Sequence, residues 1–336
     1  MKVFIVGGTG LLGSVAAEEF IKKGHSVKTI ALPGLPKGAN IPQEMEIVFG
    51  NFIEMTDEEI GALMDGCDCF VFAAGVDERV EFPAPVYPQY EKYNINPVKR
   101  FLTIAKNAGV TKAVILGSYF AYLNRIRPDM KLTEIHPYIR SRVEQEKAAF
   151  SFADDKMSVA VLELPYIFGA QPGRKPVWNI YVEKLLGMGP ITFWPKGGTA
   201  ALTTRQVGQA IVGAAEKNVG ANAYPVGTVN YTWKQLMTKM HIGMGFPNRK
   251  FYHIPEFMFR AYAYFLQKAA EKQGLEPGLN YIELSRIEYV EVFIDTKIAK
   301  ELGVTYDDVD AAVIDSMRVA MDSMKNEGEY IGMRAE

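Results

Sequence analysis

Residues 3–14 read VFIVGGTGLLGS, with glycines at positions 7, 10 and 13 between a short apolar run and an amphipathic one. Glycines so spaced can make a tight turn, bring the backbone close to a pyrophosphate, and let a helix pack tightly on a strand. The first-turn N–H groups and the helix dipole then favour a diphosphate. The chemistry implied is dinucleotide binding, with Gly7, Thr9, Gly10, Leu11, Leu12 and Gly13 as contacts. A second constellation lies in HPYIRSRVEQEK, residues 136–147, where Tyr138 and Arg142 stand four apart and share one face of a helix. A guanidinium is always charged, so Arg142 could stabilise a tyrosinate at Tyr138, whose phenol otherwise ionises near pH ~10.

The elements that must position these groups alternate. Candidate strands are residues 2–6, 26–30, 45–49, 69–74, 112–116 and 158–164, with amphipathic helical patterns between them. The first helix, about 11–23, ends in two lysines and a glycine, and Thr56 with Glu59 has capping-box spacing for another. This alternation predicts an α/β fold: a doubly wound parallel sheet, its apolar strands covered on both faces, with a smaller C-terminal substrate lobe. Residues 1–170 are expected to form the nucleotide-binding domain, to which 201–228 return. Residues 171–200 and 229–330 are expected to form the lobe.

The 336 residues carry a net charge of −2, which offers no basic footprint for nucleic acid or an anionic membrane. Cys67 and Cys69 are the only cysteines; two residues apart, they read as reduced core thiols. With the first strand starting at Lys2, no signal peptide is expected, and no apolar run reaches the ~18–20 residues of a membrane span. The expectation is a cytoplasmic enzyme with a small-molecule partner, no metal, and contact with neither membrane nor nucleic acid.

The glycine spacing, GCDCFVFAAG (66–75), YNINPVKRFLTIAKNAGVTKAVILGS (93–118), LELPYIFG (162–169) and DTKIAKELGV (295–304) together resemble the extended branch of the short-chain dehydrogenase/reductase superfamily. That branch includes the NAD-dependent epimerases and dehydratases, dihydroflavonol reductases and 3β-hydroxysteroid dehydrogenases. The resemblance implies a Rossmann-like sheet, with Ala73, Ala74 and Gly75 facing the cofactor and Pro165 and Ile167 near the nicotinamide. It also implies that Tyr138 is the general acid/base, where the family pairs Tyr with Lys four residues on; here Arg142 stands in the lysine's place, by the nicotinamide ribose. The family's serine falls at Ser118 or, with a register one residue on, at Tyr119. The only Tyr-x-x-x-Lys in the chain, Tyr264–Lys268, follows no glycine loop or fifth strand and reads as coincidence.

Around Ala31, at the end of the second strand, no carboxylate is available to hold a ribose hydroxyl, whereas Lys37 could reach a 2′-phosphate. Asn51, beside Phe52, replaces the acid often found near the adenine. The cofactor expected is NAD(P)(H), with a lean to NADP(H). Phe82, Phe120, Tyr122, Tyr166, Phe168, Trp178, Tyr181 and Phe193 are candidates to line a pocket; each alone reads more simply as core, but together with the aromatic stretch 251–265 they suggest an apolar or aromatic substrate. Asp77, Glu78 and Arg79 fall at its rim and read most simply as a solvated loop. The function expected is an oxidoreductase acting on a carbonyl or alcohol of a small, largely apolar or aromatic molecule. A sugar-nucleotide epimerase or dehydratase with tightly held NAD, and a non-catalytic dinucleotide sensor, are the alternatives. A homodimer is expected through the helices near 89–108 and 138–152, with Phe101, Leu102, Ala105, Val143 and Ala148 as apolar positions.

Overall fold

A computed structural model describes residues 1–326 and 330–332. Strands β1 (Lys2–Val6), β2 (Ser26–Ala31), β3 (Glu46–Phe49), β4 (Cys69–Phe72), β5 (Lys112–Ser118) and β6 (Ser158–Leu164) follow the alternation of the sequence. After them come β7 (Tyr166–Phe168), β8 (Ile191–Trp194), β9 (Gly198–Thr203), β10 (Ala221–Pro225), β11 (Val229–Thr232), β12 (Lys250–His253) and β13 (Glu291–Val292). The main sheet is parallel throughout, in the order β10-β6-β5-β4-β1-β2-β3. The chain therefore winds outward from β1 in both directions. The crevice between β1 and β4, where the winding reverses, is the place such a sheet offers a ligand.

Period two along each strand divides the apolar side chains between two cores. Val3, Ile5, Val71, Val114 and Leu162 face the helices Leu11–Lys22 and Thr204–Lys217. Phe4, Val6, Phe70, Phe72 and Val161 face the helices Asp57–Met64 and Asn96–Asn107. Thr56 and Thr203 close capping boxes at the starts of their helices. Cys67 and Cys69 are free and buried, and burial pushes the Cys69 thiol up to about 12.

The second sheet has the path β11-β9-β13, with β7 also paired to β9, while β8 and β12 pair separately. The chain leaves the main sheet at Pro165, because β7 already belongs to the second sheet. The second sheet rests against the helices Trp233–Gly243 and Val309–Lys325 around Trp178, Trp194 and Trp233. Among the described residues no helix is long and apolar enough to cross a membrane, and no group of three His, Cys, Asp or Glu could hold a metal.

Two expectations are corrected by this packing. Phe101, Leu102 and Ala105 are fully enclosed in the core beneath β4, so they are not available to a subunit interface; Val143 and Ala148 are half-buried. The helix Glu256–Lys272 buries only Ala263 and Gln267, leaving Phe257 73% and Phe265 71% exposed, so most of its aromatic rings lie on the outside rather than in the core. The pair Tyr264–Lys268 lies on this outer helix, with Lys268 engaged by Glu271.

Candidate functional site

Backbone crowding shapes the nucleotide end. Gly7 has φ +87°, and a Cβ there would lie 2.7 Å from the Ala73 carbonyl oxygen. A Cβ at Gly13 would come within 2.1 Å of the Gly7 carbonyl, and one at Gly10 within 3.1 Å. The helix Leu11–Lys22 starts at Gly10 with no side-chain cap and no acid in its first turn. Its leading N–H groups and positive end are therefore left for an anion. Gly8 is equally constrained, a position the glycine spacing does not single out. Its N–H donates to Thr29 Oγ1 at 3.0 Å, Thr29 donates to the Ile5 carbonyl at 2.7 Å, and a Cβ would strike Thr29 at 2.5 Å. Such a cradle fits a dinucleotide diphosphate.

The opposite wall is Ala73, Ala74 and Gly75. The fully buried Asn94, in the π-helical turn Glu91–Ile95, accepts from Val76 N at 2.8 Å and donates to Val76 O at 2.9 Å. Gln145 Nε2 donates to the Asn94 carbonyl at 2.8 Å, tying this wall to the helix that carries Tyr138. Ala31 is buried at the end of β2, and Lys37 is exposed on the following loop. Asn51 Oδ1 accepts from Ile53 N at 3.1 Å, and Phe52 packs edge-on to Phe101, centroids 5.4 Å apart. Pro165 is buried; Ile167 packs on the core and its carbonyl accepts from Trp178 Nε1 at 3.1 Å.

The helix Pro137–Phe150 begins at His136, whose Nδ1 accepts from Asn280 N at 3.0 Å; burial brings this imidazole down to about 4 and keeps it neutral. Tyr138 N donates to the Gly278 carbonyl at 2.9 Å. A Cβ at Gly278 would lie 1.9 Å from Tyr90 Oη, so only glycine lets the segment after the outer helix close on these two rings. Tyr138 is 5% exposed, its ring 5.4 Å from Tyr90 and 6.1 Å from Phe120. Burial pushes its phenol well above the usual range, Arg142 pulls it down, Glu78 and Asp77 push it up, and the neighbouring Ser118 hydroxyl lowers it.

Arg142 is 7% exposed. Its Nη2 donates to the Leu116 carbonyl at 2.7 Å, and its guanidinium carbon lies 5.9 Å from the Tyr138 ring centroid. Its Nε is buried and has no partner among the described residues. The carbonyl of β5 thus anchors a fixed positive charge beside the phenol. Ser118 ends β5 in register with Leu164 of β6 and lies next to Tyr138. Tyr119 opens the following helix and turns instead into the aromatic wall, 6.3 Å from Tyr166.

Tyr166 and Tyr181 hydrogen-bond through their hydroxyls at 2.7 Å, and Tyr166 stacks on Trp178 at 5.6 Å. Phe82 packs against Tyr90, and Tyr122 faces Arg125. Phe168 is enclosed core, and Phe193 stacks outward on Tyr252, so neither joins this wall. Asp77, Glu78 and Arg79 are half-buried rather than freely solvated. Arg79 is paired with Asp77, and the Glu78 carboxyl is raised by burial and by Asp77, with Arg79 and Arg142 acting against that rise. Glu288, brought in from the far end of the chain, is pushed up to about 7 by burial, and it raises Tyr119 and Tyr181. Nothing in its local sequence marks it. Arg205 Nε meets Asp307 Oδ2 at 3.1 Å.

The sequence model of the NAD dependent epimerase/dehydratase family matches residues 3–221. No curated protein matches the sequence significantly. Among solved structures, gox2253 is similar with a TM-score of 0.72 at 18% identity, over 98% of this chain and 99% of that one. A nucleoside-diphosphate-sugar epimerase from Pseudomonas aeruginosa aligns with a TM-score of 0.67 at 16% identity, over 98% and 99%. A UDP-glucose-4-epimerase from Stenotrophomonas maltophila, with bound NAD and formylated UDP-arabinopyranose, aligns at 0.65 and 17% identity, over 98% and 99%. These likenesses bear on the fold.

Proposed function

Because the chain belongs to the NAD dependent epimerase/dehydratase family, we propose that it is an NAD(P)-dependent oxidoreductase for a carbonyl or alcohol on a small, largely apolar or aromatic molecule. The observation that carries this reading is the convergence of Tyr138, Ser118 and Arg142 at the ends of β5 and β6, beside the glycine cradle. When bound, the dinucleotide supplies or accepts the hydride. Gly7, Thr9, Gly10, Leu11, Leu12 and Gly13 would hold its diphosphate, with Ala31, Lys37, Asn51 and Phe52 toward the adenosine. Ala73, Ala74, Gly75, Pro165 and Ile167 would flank the rest. The Tyr138 phenol would give a proton to a carbonyl oxygen or take one from an alcohol. Ser118 would hydrogen-bond the same oxygen, and Arg142 would stabilise the tyrosinate and meet the ribose. Tyr119 serves as pocket wall in this scheme.

The test is depletion of NADPH or NADH by the purified protein across a panel of ketones, flavonoids and steroids. Turnover with a member of that panel is expected; its absence throughout would overturn the proposal. Family membership supports a second reading, a sugar-nucleotide epimerase or dehydratase. That enzyme would co-purify with NAD and convert nucleotide sugars with no net change in reduced cofactor. We also infer a homodimer, which light scattering checks: a dimeric mass is expected, and a monomeric mass at micromolar concentration overturns it.

A further inference from the structure

The outer helix Glu256–Lys272 is held to the rest of the chain along a narrow stripe. Gln267 Oε1 accepts from Tyr281 N at 3.1 Å, Arg260 Nη2 donates to Glu283 Oε1 at 2.8 Å, and Phe259 packs edge-on to Tyr289, ring centroids 6.0 Å apart. On the opposite face Phe257, Met258, Tyr262, Tyr264 and Phe265 are between 49% and 73% exposed. At ~150–250 Å² for each large aromatic side chain, these five leave roughly 600 Å² in contact with water. The largest apolar patch on a typical monomer is ~300–600 Å², and a stable dimer needs ~600–1,000 Å² from each copy. The face is therefore large enough to be one half of a dimer contact.

Its shape is complementary to itself. Phe257, Ala261 and Phe265 stand four residues apart and lie in one line along the helix, so the exposed methyl of Ala261 sits between two rings, each about 6 Å away along the axis. A two-fold axis at Ala261 would cross two antiparallel copies of the helix where a small side chain lets them approach to about 8 Å. It would set Phe257 against the partner's Phe265 and Met258 against the partner's Tyr264, a sulfur-to-ring contact. Each contact would recur in reverse, as an isologous interface requires. An anionic lipid surface fits less well: of the helix's three cations, Arg260 is held by Glu283 and Lys268 by Glu271, and the chain's net charge is −2. We propose that this face of Glu256–Lys272 is the homodimer interface, with Ala261 at the two-fold axis. This rests on the homodimer inferred above and places its contact away from the helices near 89–108 and 138–152. The segment after the helix gives the Gly274 carbonyl to Ala84 N and the Gly278 carbonyl to Tyr138 N, so the pairing braces the cover of the cleft from outside.

Light scattering and oxidative cross-linking of the intact chain test it. The natural protein should have a dimeric mass at micromolar concentration. F257E/F265E should be monomeric, its association weakened at least about a hundredfold, with the circular dichroism of the natural protein. A261C should form a disulfide-linked dimer on oxidation with copper phenanthroline, because the axis brings the two thiols together. Cys67 and Cys69 are buried, and Y306C, at an exposed position elsewhere, should cross-link far more slowly. Where F257E/F265E fails to fold, A261C against Y306C decides. A dimer that persists in F257E/F265E, or A261C cross-linking no faster than Y306C, would overturn this interface and leave the homodimer to another surface. A monomeric natural protein would overturn both, so the two failures are told apart. A monomer that floats with vesicles of phosphatidylcholine and phosphatidylserine, and loses that binding in F257E/F265E, would assign the face to lipid and overturn the proposal.

Discussion

The glycine cradle and the tyrosine cleft lie at the same edge of one sheet and are built on different principles. The cradle is largely backbone against backbone: Gly7, Gly8 and Gly13 leave no room for a Cβ, Gly10 leaves little, and their nearest neighbours are carbonyls or the buried Thr29. The cleft is side chain against side chain: one phenol lies between the positive Arg142 and the negative Asp77 and Glu78. Sterics rule the first region and electrostatics the second. The first should therefore fail abruptly on substitution, whereas the second should shift its titration and rate.

Substituting Gly13 by Ala should break the contrast most severely. Its Cβ would meet the Gly7 carbonyl at 2.1 Å, where no flexible side chain can give way. A loss of at least about 3 kcal/mol in urea unfolding is expected, with loss of dinucleotide binding. Stability within 1 kcal/mol of the natural protein, roughly the ordinary range for a surface change, would contradict the crowding. At the other end, R142A should reduce turnover by roughly a hundredfold and move the pH–rate limb for alcohol oxidation to higher pH. The direction follows because Arg142 lowers the Tyr138 phenol, so its removal leaves the base harder to form.

A smaller effect is expected behind the cleft. Glu163 is fully buried, with Oε2 2.6 Å from Arg125 Nη2, and Arg125 also meets Glu146 at 3.4 Å. Burial pushes Glu163 up to about 7, from an ordinary value of 4.5, despite the Arg125 hydrogen bond. The folded state therefore holds this proton more tightly than the unfolded chain does. Stability should fall as pH rises from about 4.5 to about 7 and then level off. E163Q should flatten that limb in denaturation curves between pH 5 and 8; an unchanged slope would remove Glu163 as its source. The smallest change should come from E78Q. It removes a charge that raises Tyr138, so the oxidation limb should move to lower pH by less than about one unit, opposite to R142A.

The two regions also differ in how openly the sequence shows them. The cradle lies almost wholly within residues 3–31 and 73–75, so glycine spacing and strand pattern reveal it. Thr29 escapes because a lone threonine in an apolar strand has no local signature; its role appears only when β1 and β2 pair. The cleft is assembled across the chain. Tyr138, Arg142 and Ser118 carry a local pattern, and strand pairing through Ser118 and Leu164 places the serine beside the phenol and Tyr119 in the wall. Gly278, Asn280 and Glu288 arrive from more than 130 residues away, through turns and bridges with no period to read. The aromatic helix Glu256–Lys272 shows the converse: its apolar composition suggests a pocket, yet it lies on the outside with its rings exposed. Composition reports hydrophobicity and says nothing of which face is covered.

The central claim is that Tyr138 moves the proton while the cradle holds the cofactor. Single-turnover reduction of a carbonyl substrate, with NADPH prebound, compares the natural protein with Y138F. The account predicts a fall in the reduction rate of at least about a hundredfold, with NADPH affinity unchanged within about twofold. A Y138F rate equal to that of the natural protein would contradict it.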